Sequence, residues 1–176
     1  MGERTGLTIV YTGDGKGKTT AAIGLAIRAL GSALRTTILQ FVKTQETGEH
    51  RALADLAAGR IEILRLGSGF VRGDGPPPAE AVAAARKALH LARRRLTGGT
   101  YDIVVLDEVF AALAAQLISE RELLNLIDLR PSGVHLVLTG RGAPQSVIDR
   151  ADVVTEMVCV KYAFDRGASA QPGIEI

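Results

Sequence analysis

Cysteine, tryptophan and long apolar runs are what this chain of 176 residues has least of. Cys159 is its only cysteine, so no disulfide can close within the chain, and a reducing compartment is expected. It stands in Val158-Cys159-Val160, a setting in which a buried, inert thiol is expected rather than a nucleophile. Tryptophan is absent, aromatic residues make up 4%, and the formal net charge is only +2. Nucleic acid is usually gripped by a stripe of Lys and Arg with interleaved aromatics, so no nucleic-acid partner is expected. No apolar run approaches the roughly 20 residues that span a bilayer. Met1-Gly2-Glu3-Arg4-Thr5 has no apolar signal core. These absences read as a soluble, cytoplasmic protein with no membrane partner. His50, His90 and His135 fall in neither a Ser/His/Asp nor a metal-ligand spacing, and they read as structural.

What the chain does have is 47% hydrophobic residues, enough for one domain, 1–176, with a full core. Six apolar runs read as strands: 7–12, 36–42, 61–66, 102–107, 134–139 and 153–158. Several are continuous rather than alternating, as in strands buried on both faces of a parallel sheet. Helical patterns fill the gaps at 19–30, 51–58, 79–96, 110–117, 120–129 and 144–150. In 79–96, Val82, Ala85, Leu89, Ala92 and Leu96 form one apolar face, with Lys87 and Arg94 opposite. The alternation predicts an α/β fold: a single three-layer domain around a mainly parallel six-stranded sheet. Ligands of such sheets lie at the carboxyl ends of the strands. Two long loops, 43–50 and 67–78, follow strands and so open on that side. Arg93-Arg94-Arg95 reads as a solvated helix C-terminus, where cations suit the dipole. The tail, 161–176, is expected to lie ordered over the surface.

The first strand runs directly into Thr12-Gly13-Asp14-Gly15-Lys16-Gly17-Lys18-Thr19-Thr20 and then a helix. Strand, glycine-rich turn and helix together let backbone N–H groups and a helix N-terminus hold phosphates. The match to the P-loop pattern G-x-x-x-x-G-K-[ST] is imperfect, since Thr12 stands where the first glycine belongs and Gly13 follows one place late. Gly13, Asp14, Gly15, Lys16, Gly17, Lys18, Thr19 and Thr20 form the expected nucleotide-binding set. Lys18 neutralises phosphate oxygens, and the Thr19 hydroxyl is a Mg²⁺ ligand.

Asp107-Glu108 closes the apolar run Ile103-Val104-Val105-Leu106. A carboxylate there, after a P-loop, reads as a metal site with Thr19, Asp107 and Glu108 as ligands; the alternative is an acidic pair capping the next helix. Arg141, in Thr139-Gly140-Arg141-Gly142, either touches phosphate or substrate or sits in a plain strand-end turn. The chain thus offers phosphate and metal chemistry without acid–base machinery. That balance favours a reaction driven by positioning and charge neutralisation.

Residues 10–22 resemble the loop of the ATP:corrinoid adenosyltransferases of the cobalamin pathway. The likeness continues through Leu39-Gln40-Phe41-Val42-Lys43, Gly48-Glu49, Gly69-Phe70, Val105-Leu106-Asp107-Glu108, Leu138-Thr139-Gly140-Arg141-Gly142, Ala151-Asp152, Thr155-Glu156-Met157 and Ala170-Gln171-Pro172-Gly173-Ile174-Glu175. It covers nearly the whole chain, in order. The resemblance implies a P-loop, RecA-like architecture. It also implies a reaction in which cobalt(I) of a reduced corrinoid attacks the 5′ carbon of ATP and triphosphate leaves. Cobalt is the nucleophile, so the protein supplies orientation and stabilisation of the leaving polyanion. Lys18 and Glu108 are the implied catalytic residues, Mg²⁺ (or Mn²⁺) the implied cation, and Phe70 and the 67–78 loop the corrinoid's neighbours. The nucleotide is implied to lie in the reverse sense to most P-loop proteins. A reduced flavoprotein as electron donor and a homodimer are also implied.

Three departures accompany the likeness. Arg72 stands where the family commonly has tryptophan, Lys161-Tyr162 replaces its usual Lys-His, and few residues precede the first strand, where some relatives carry a longer arm. Two other readings stay open at this level: a RecA-like P-loop ATPase or phosphotransferase releasing ADP, and a non-catalytic, nucleotide-gated corrinoid carrier.

Overall fold

A computed structural model describes residues 5–56, 59–69, 75–162, 167, 169 and 171–174. Within them, in chain order, are β1 (Thr8–Thr12), α1 (Lys18–Gly31), β2 (Thr36–Gln40), α2 (Gly48–Leu56), β3 (Ile61–Arg65), α3 (Ala79–Thr97), β4 (Ile103–Asp107), α4 (Val109–Ala114), α5 (Glu120–Asp128), β5 (His135–Thr139), α6 (Gln145–Ile148) and β6 (Val153–Glu156). The strands form one sheet in the order β3-β2-β4-β5-β1-β6, with every pairing parallel. Each expected strand and helix is present, with ends shifted by a few residues.

Side chains of a strand alternate between its two faces, and here each face has its own core. Val10, Leu39, Val104, Leu106, Leu136 and Leu138 pack on one side with residues of α3, α4 and α5. Ile9, Ile38, Ile103, Val105 and Val137 pack on the other against Ala22, Ala26 and Ala29 of α1 and Leu53 of α2. Both faces of the central strands are therefore apolar, which is why their sequences run on without alternation. In α3 the wholly buried stripe is Ala81, Ala85, Ala88, Ala92 and Leu96. Val82 and Leu89 flank it, partly buried. Small residues take the line of closest approach and the larger ones seal its margin.

Three expectations need correction. β6 ends at Glu156 rather than 158, and all four of its residues are exposed. It pairs only with β1, at the sheet's edge. Cys159 lies beyond that strand and is exposed, not buried. Arg95 is not a solvated end-of-helix cation. It turns under the sheet and donates to Glu62 at 2.7 Å, beside hydrogen bonds to the same carboxylate from Tyr101 and Thr37. The Arg93-Arg94-Arg95 run therefore contributes a structural anchor at its third position. No helix among the described residues is long and apolar enough to cross a membrane.

The parallel topology brings the ends of β1, β4 and β5 together, with β5 between the other two. Thr12, Asp107 and Thr139 are their last residues and all are buried. The site is built there.

Candidate nucleotide and metal site

The turn between β1 and α1 is held shut by its own lysine. Lys18 Nζ donates to the carbonyl oxygens of Gly13 and Gly15 at 2.7 and 2.6 Å and is 6% exposed. Burial pulls its pKa below the ordinary lysine value, while the Glu108 carboxylate acts in the opposite sense. Gly17 caps α1 with φ of 110°, a left-handed conformation, and offers no side-chain acceptor to the helix N-terminus. The first-turn N–H groups thus stay open to an anion.

Thr155-Glu156-Met157 continues β6 across the back of this loop. Met157 N–H donates to Thr12 O, and Gly15 N–H donates to Met157 O, at 2.8 and 2.6 Å. A Cβ on Gly13 would stand 2.5 Å from that Met157 oxygen. Gly13 is therefore required by a neighbouring strand as well as by the turn, which the loop's sequence alone did not indicate. Thr12, in the place of the expected glycine, accepts the Ala143 N–H on its hydroxyl at 3.1 Å. The irregularity ties the phosphate loop to the 140–143 turn that carries Arg141.

Asp107 is wholly buried and its carboxylate is surrounded by donors. Thr19 and Thr139 hydroxyls each donate to Oδ1 at 2.8 Å, and Gln40 Nε2 donates to Oδ2 at 3.1 Å. Thr139 Oγ in turn accepts the Glu108 N–H at 2.9 Å. Glu108 has φ of 58°, uncommon outside glycine, and makes no side-chain cap to α4. The strained turn aims its carboxylate into the cavity instead. The capping alternative for Glu108 is thereby removed. Burial, and then the Asp107 charge beside it, push the Glu108 pKa up, against the pull of Lys18.

These groups border a cavity of about 660 Å³, a size suited to a nucleotide. Gly15, Lys16, Gly17, Lys18, Thr19 and Thr20 form its floor, with Glu108 and Arg141 on one side. Asp14 is exposed and 3.9 Å from Arg141. Of the residues read from the sequence, Phe70 and Arg72 lie outside the described residues, and Gly13, Asp14 and Asp107 stand behind or beside the cavity wall. The others are brought together.

Sequence reasoning missed part of the opposite wall. Lys43, Gly48, Glu49, Ile23, Tyr162, Gly173 and Ile174 complete the lining. Lys43 pairs with Glu49 at 2.5 Å. Burial acts to raise the Glu49 pKa, but hydrogen bonds from Lys43 and Thr47 outweigh it and bring the value down to about 2. The Lys16 ammonium sits 5.3 Å over the Tyr162 ring, which holds that residue against the phosphate loop. One signal was present: Gln40 is a buried amide side chain at the carboxyl end of β2.

Oxygen donors of this kind suit Mg²⁺. Glu108 presents a carboxylate whose burial a cation would offset, and Thr19 presents a hydroxyl already oriented by Asp107. Among the described residues no group of three His, Cys, Asp or Glu side chains is placed to hold a metal, so a cation here would draw further ligands from nucleotide or water.

Residues 4–176 match the family model of the ATP:corrinoid adenosyltransferase BtuR/CobO/CobP. The chain belongs to that family. It is 36% identical to the corrinoid adenosyltransferase of Escherichia coli K12 over 174 residues, covering 98% of this chain and 87% of that one. Identity and coverage are the same for the corrinoid adenosyltransferase CobA of Salmonella typhimurium. The Pseudomonas aeruginosa corrinoid adenosyltransferase is 34% identical over 173 residues, 98% of this chain and 85% of that relative. Among solved structures, a KaiC-like protein of Pyrococcus horikoshii aligns with TM-score 0.56 at 22% identity, covering 86% of this chain and 73% of its own. The flagellar accessory protein FlaH of Methanocaldococcus jannaschii aligns with TM-score 0.56 at 13% identity, over 88% and 72% of the two chains. The last two likenesses establish a shared RecA-like P-loop fold and nothing about activity. Family membership makes this chain an adenosyltransferase.

Proposed function

We propose that the enzyme, as one domain over 1–176, transfers the 5′-adenosyl group of ATP to cobalt(I) of a reduced corrinoid and releases triphosphate. The observation that carries this reading is the cavity itself. Lys18 and Arg141 converge on it with the open N-terminus of α1, while none of the three histidines borders it. Such a site stabilises a departing polyanion and positions a carbon for attack; it does not need to move a proton. The electron pair of cobalt(I) forms the Co–C5′ bond, the C5′–O bond breaks, and the pair of that broken bond leaves with the triphosphate.

Lys18 is the residue assigned to the leaving triphosphate. Its ammonium rests on the Gly13 and Gly15 carbonyls, so it reaches phosphate by exchanging those two bonds. Gly13 to Thr20 cradle the phosphates and Arg141 braces them from the facing turn. Mg²⁺, or Mn²⁺ in its place, would be held by Thr19 and Glu108, with Asp107 directing the Thr19 hydroxyl; when bound it neutralises phosphate oxygens. Phe70 and the 67–78 loop are assigned to the corrinoid face. A reduced flavoprotein supplies the electron for cobalt(I). A cytoplasmic homodimer is part of the same reading, supported by the exposed Val153, Val154, Val158 and Val160 at the β6 edge and beyond.

Mixing the protein with MgATP and a chemically reduced corrinoid tests the reading, with the corrinoid spectrum and the phosphate product followed together. Adenosylcorrinoid and one equivalent of triphosphate are expected. ADP without a corrinoid change would indicate a phosphotransferase, and binding of both ligands without turnover would indicate a carrier.

A further inference from the structure

The buried carboxylate of Asp107 is reached from the opposite wall of the cavity by a run of hydrogen bonds whose direction is fixed at both ends. An ionised carboxylate only accepts. Gln40 must therefore turn its Nε2 to Asp107 Oδ2, as the 3.1 Å contact shows, and its Oε1 away. That oxygen lies 2.9 Å from Nε2 of His50, which must carry the ring proton in order to donate. A neutral imidazole then has a bare Nδ1. Nδ1 accepts the Thr47 N–H at 3.1 Å, with the Thr47 hydroxyl 3.0 Å away. The two ends demand the same tautomer.

Parallel register sets Gln40 of β2 beside Asp107 of β4. His50 stands in the first turn of α2, next to Gly48 and Glu49, which line the cavity. One side chain thus joins the cavity wall to the carboxylate that aims the Thr19 hydroxyl.

We infer that His50 is a positioning residue of the metal–nucleotide site. Through Gln40 it holds Asp107 in the orientation that directs Thr19, and it locks the 43–49 wall to the same carboxylate. The inference rests on the reading of Thr19 and Glu108 as the Mg²⁺ site. It assigns a role to a residue that does not itself border the cavity.

Two substitutions separate this role from simple capping of α2. In His50→Gln an amide donor stands near the place of Nε2 and the bond to Gln40 is kept. In His50→Asn an acceptor stands near the place of Nδ1, and only the bonds to Thr47 are kept. ATP affinity is measured by calorimetry for wild type and both variants, with and without Mg²⁺. The gain from Mg²⁺ is taken relative to each variant's own metal-free affinity, which divides out any effect of the 43–49 wall on the nucleotide itself. The gain in affinity from Mg²⁺ should survive in His50→Gln and fall about tenfold in His50→Asn, the low end of what loss of an outer partner costs a metal site. An undiminished gain in His50→Asn, or an equal loss in both variants, overturns the inference. A wild-type protein whose ATP affinity gains nothing from Mg²⁺ fails the metal reading instead, and the inference with it. Nitrogen-15 NMR of unliganded wild type, which needs no variant to fold, should show His50 protonated at Nε2; protonation at Nδ1 also overturns the inference.

Discussion

Replacing Thr139 by valine removes one wholly buried hydroxyl, at nearly constant volume, from the polar cluster around Asp107. That hydroxyl donates to Asp107 Oδ1 at 2.8 Å and accepts the Glu108 N–H at 2.9 Å. A hydrogen bond to a charged group is worth about 1.5–3 kcal/mol, and a buried donor left unpaired costs about 1–3 kcal/mol. The two losses overlap, so the expected destabilisation is roughly 2–5 kcal/mol. For a chain of this size that corresponds to a fall in Tm of roughly 4–20 °C. Thr139→Ser keeps the oxygen and loses one methyl, about 0.8 kcal/mol. The assay is urea unfolding of metal-free protein at pH 7, with the m-value checked to be unchanged. A Thr139→Val protein within about 0.5 kcal/mol of wild type, the range of an indifferent surface change, would refute the account of how Asp107 and the strained Glu108 turn are held.

Lys18→Ala should lower adenosyl transfer by at least about 100-fold, the scale of losing one preorganised charge partner, measured by triphosphate release; near-normal turnover would remove Lys18 from its assigned role. Glu108→Gln should stabilise the metal-free protein at pH 7. The raised pKa of Glu108 means that its contribution to stability is fully present below its ordinary value of 4.5 and is lost as pH rises through the folded value, so the advantage of the variant should vanish below pH 4.5 in acid–urea titrations. An advantage independent of pH would contradict that cause. Lys43→Met should act in the opposite sense. Glu49, held at about 2, contributes stability above 4.5 that is lost as pH falls toward 2. The variant should therefore be weaker than wild type by about 1–3 kcal/mol at pH 7, with the gap closing through that window, and a constant gap would be the wrong result.

The strands and helices were legible because their causes are local. Apolar runs of strand length alternate with 3.6-residue patterns, and the order strand, glycine-rich turn, Lys-Thr, helix specifies a phosphate loop wherever it folds. The acidic pair ending β4 was legible for the same reason. What could not be read was the division of labour inside it. Asp107 and Glu108 are neighbours in the chain, yet one is sealed under three donors and the other is turned into the cavity by a left-handed backbone. Cys159 misled because Val-Cys-Val looks like the middle of a strand, whereas the chain has already left the sheet at Glu156.

The sequence by itself determined the α/β alternation, the phosphate-binding turn and the family, since each depends on residues within a few positions of one another or on their order along the chain. Only the tertiary structure decided what Thr12 is for, why Gly13 cannot be larger, and which side chains face the loop from across the cavity. Gln40 acquires its Asp107 partner through parallel strand register, Tyr162 meets Lys16 from the far end of the chain, and Lys43, Glu49 and His50 are set by the turn between β2 and α2. Parallel crossovers bring together residues far apart in the chain, such as Gln40 and Asp107, and a contact across that separation leaves no periodicity in the sequence to betray it.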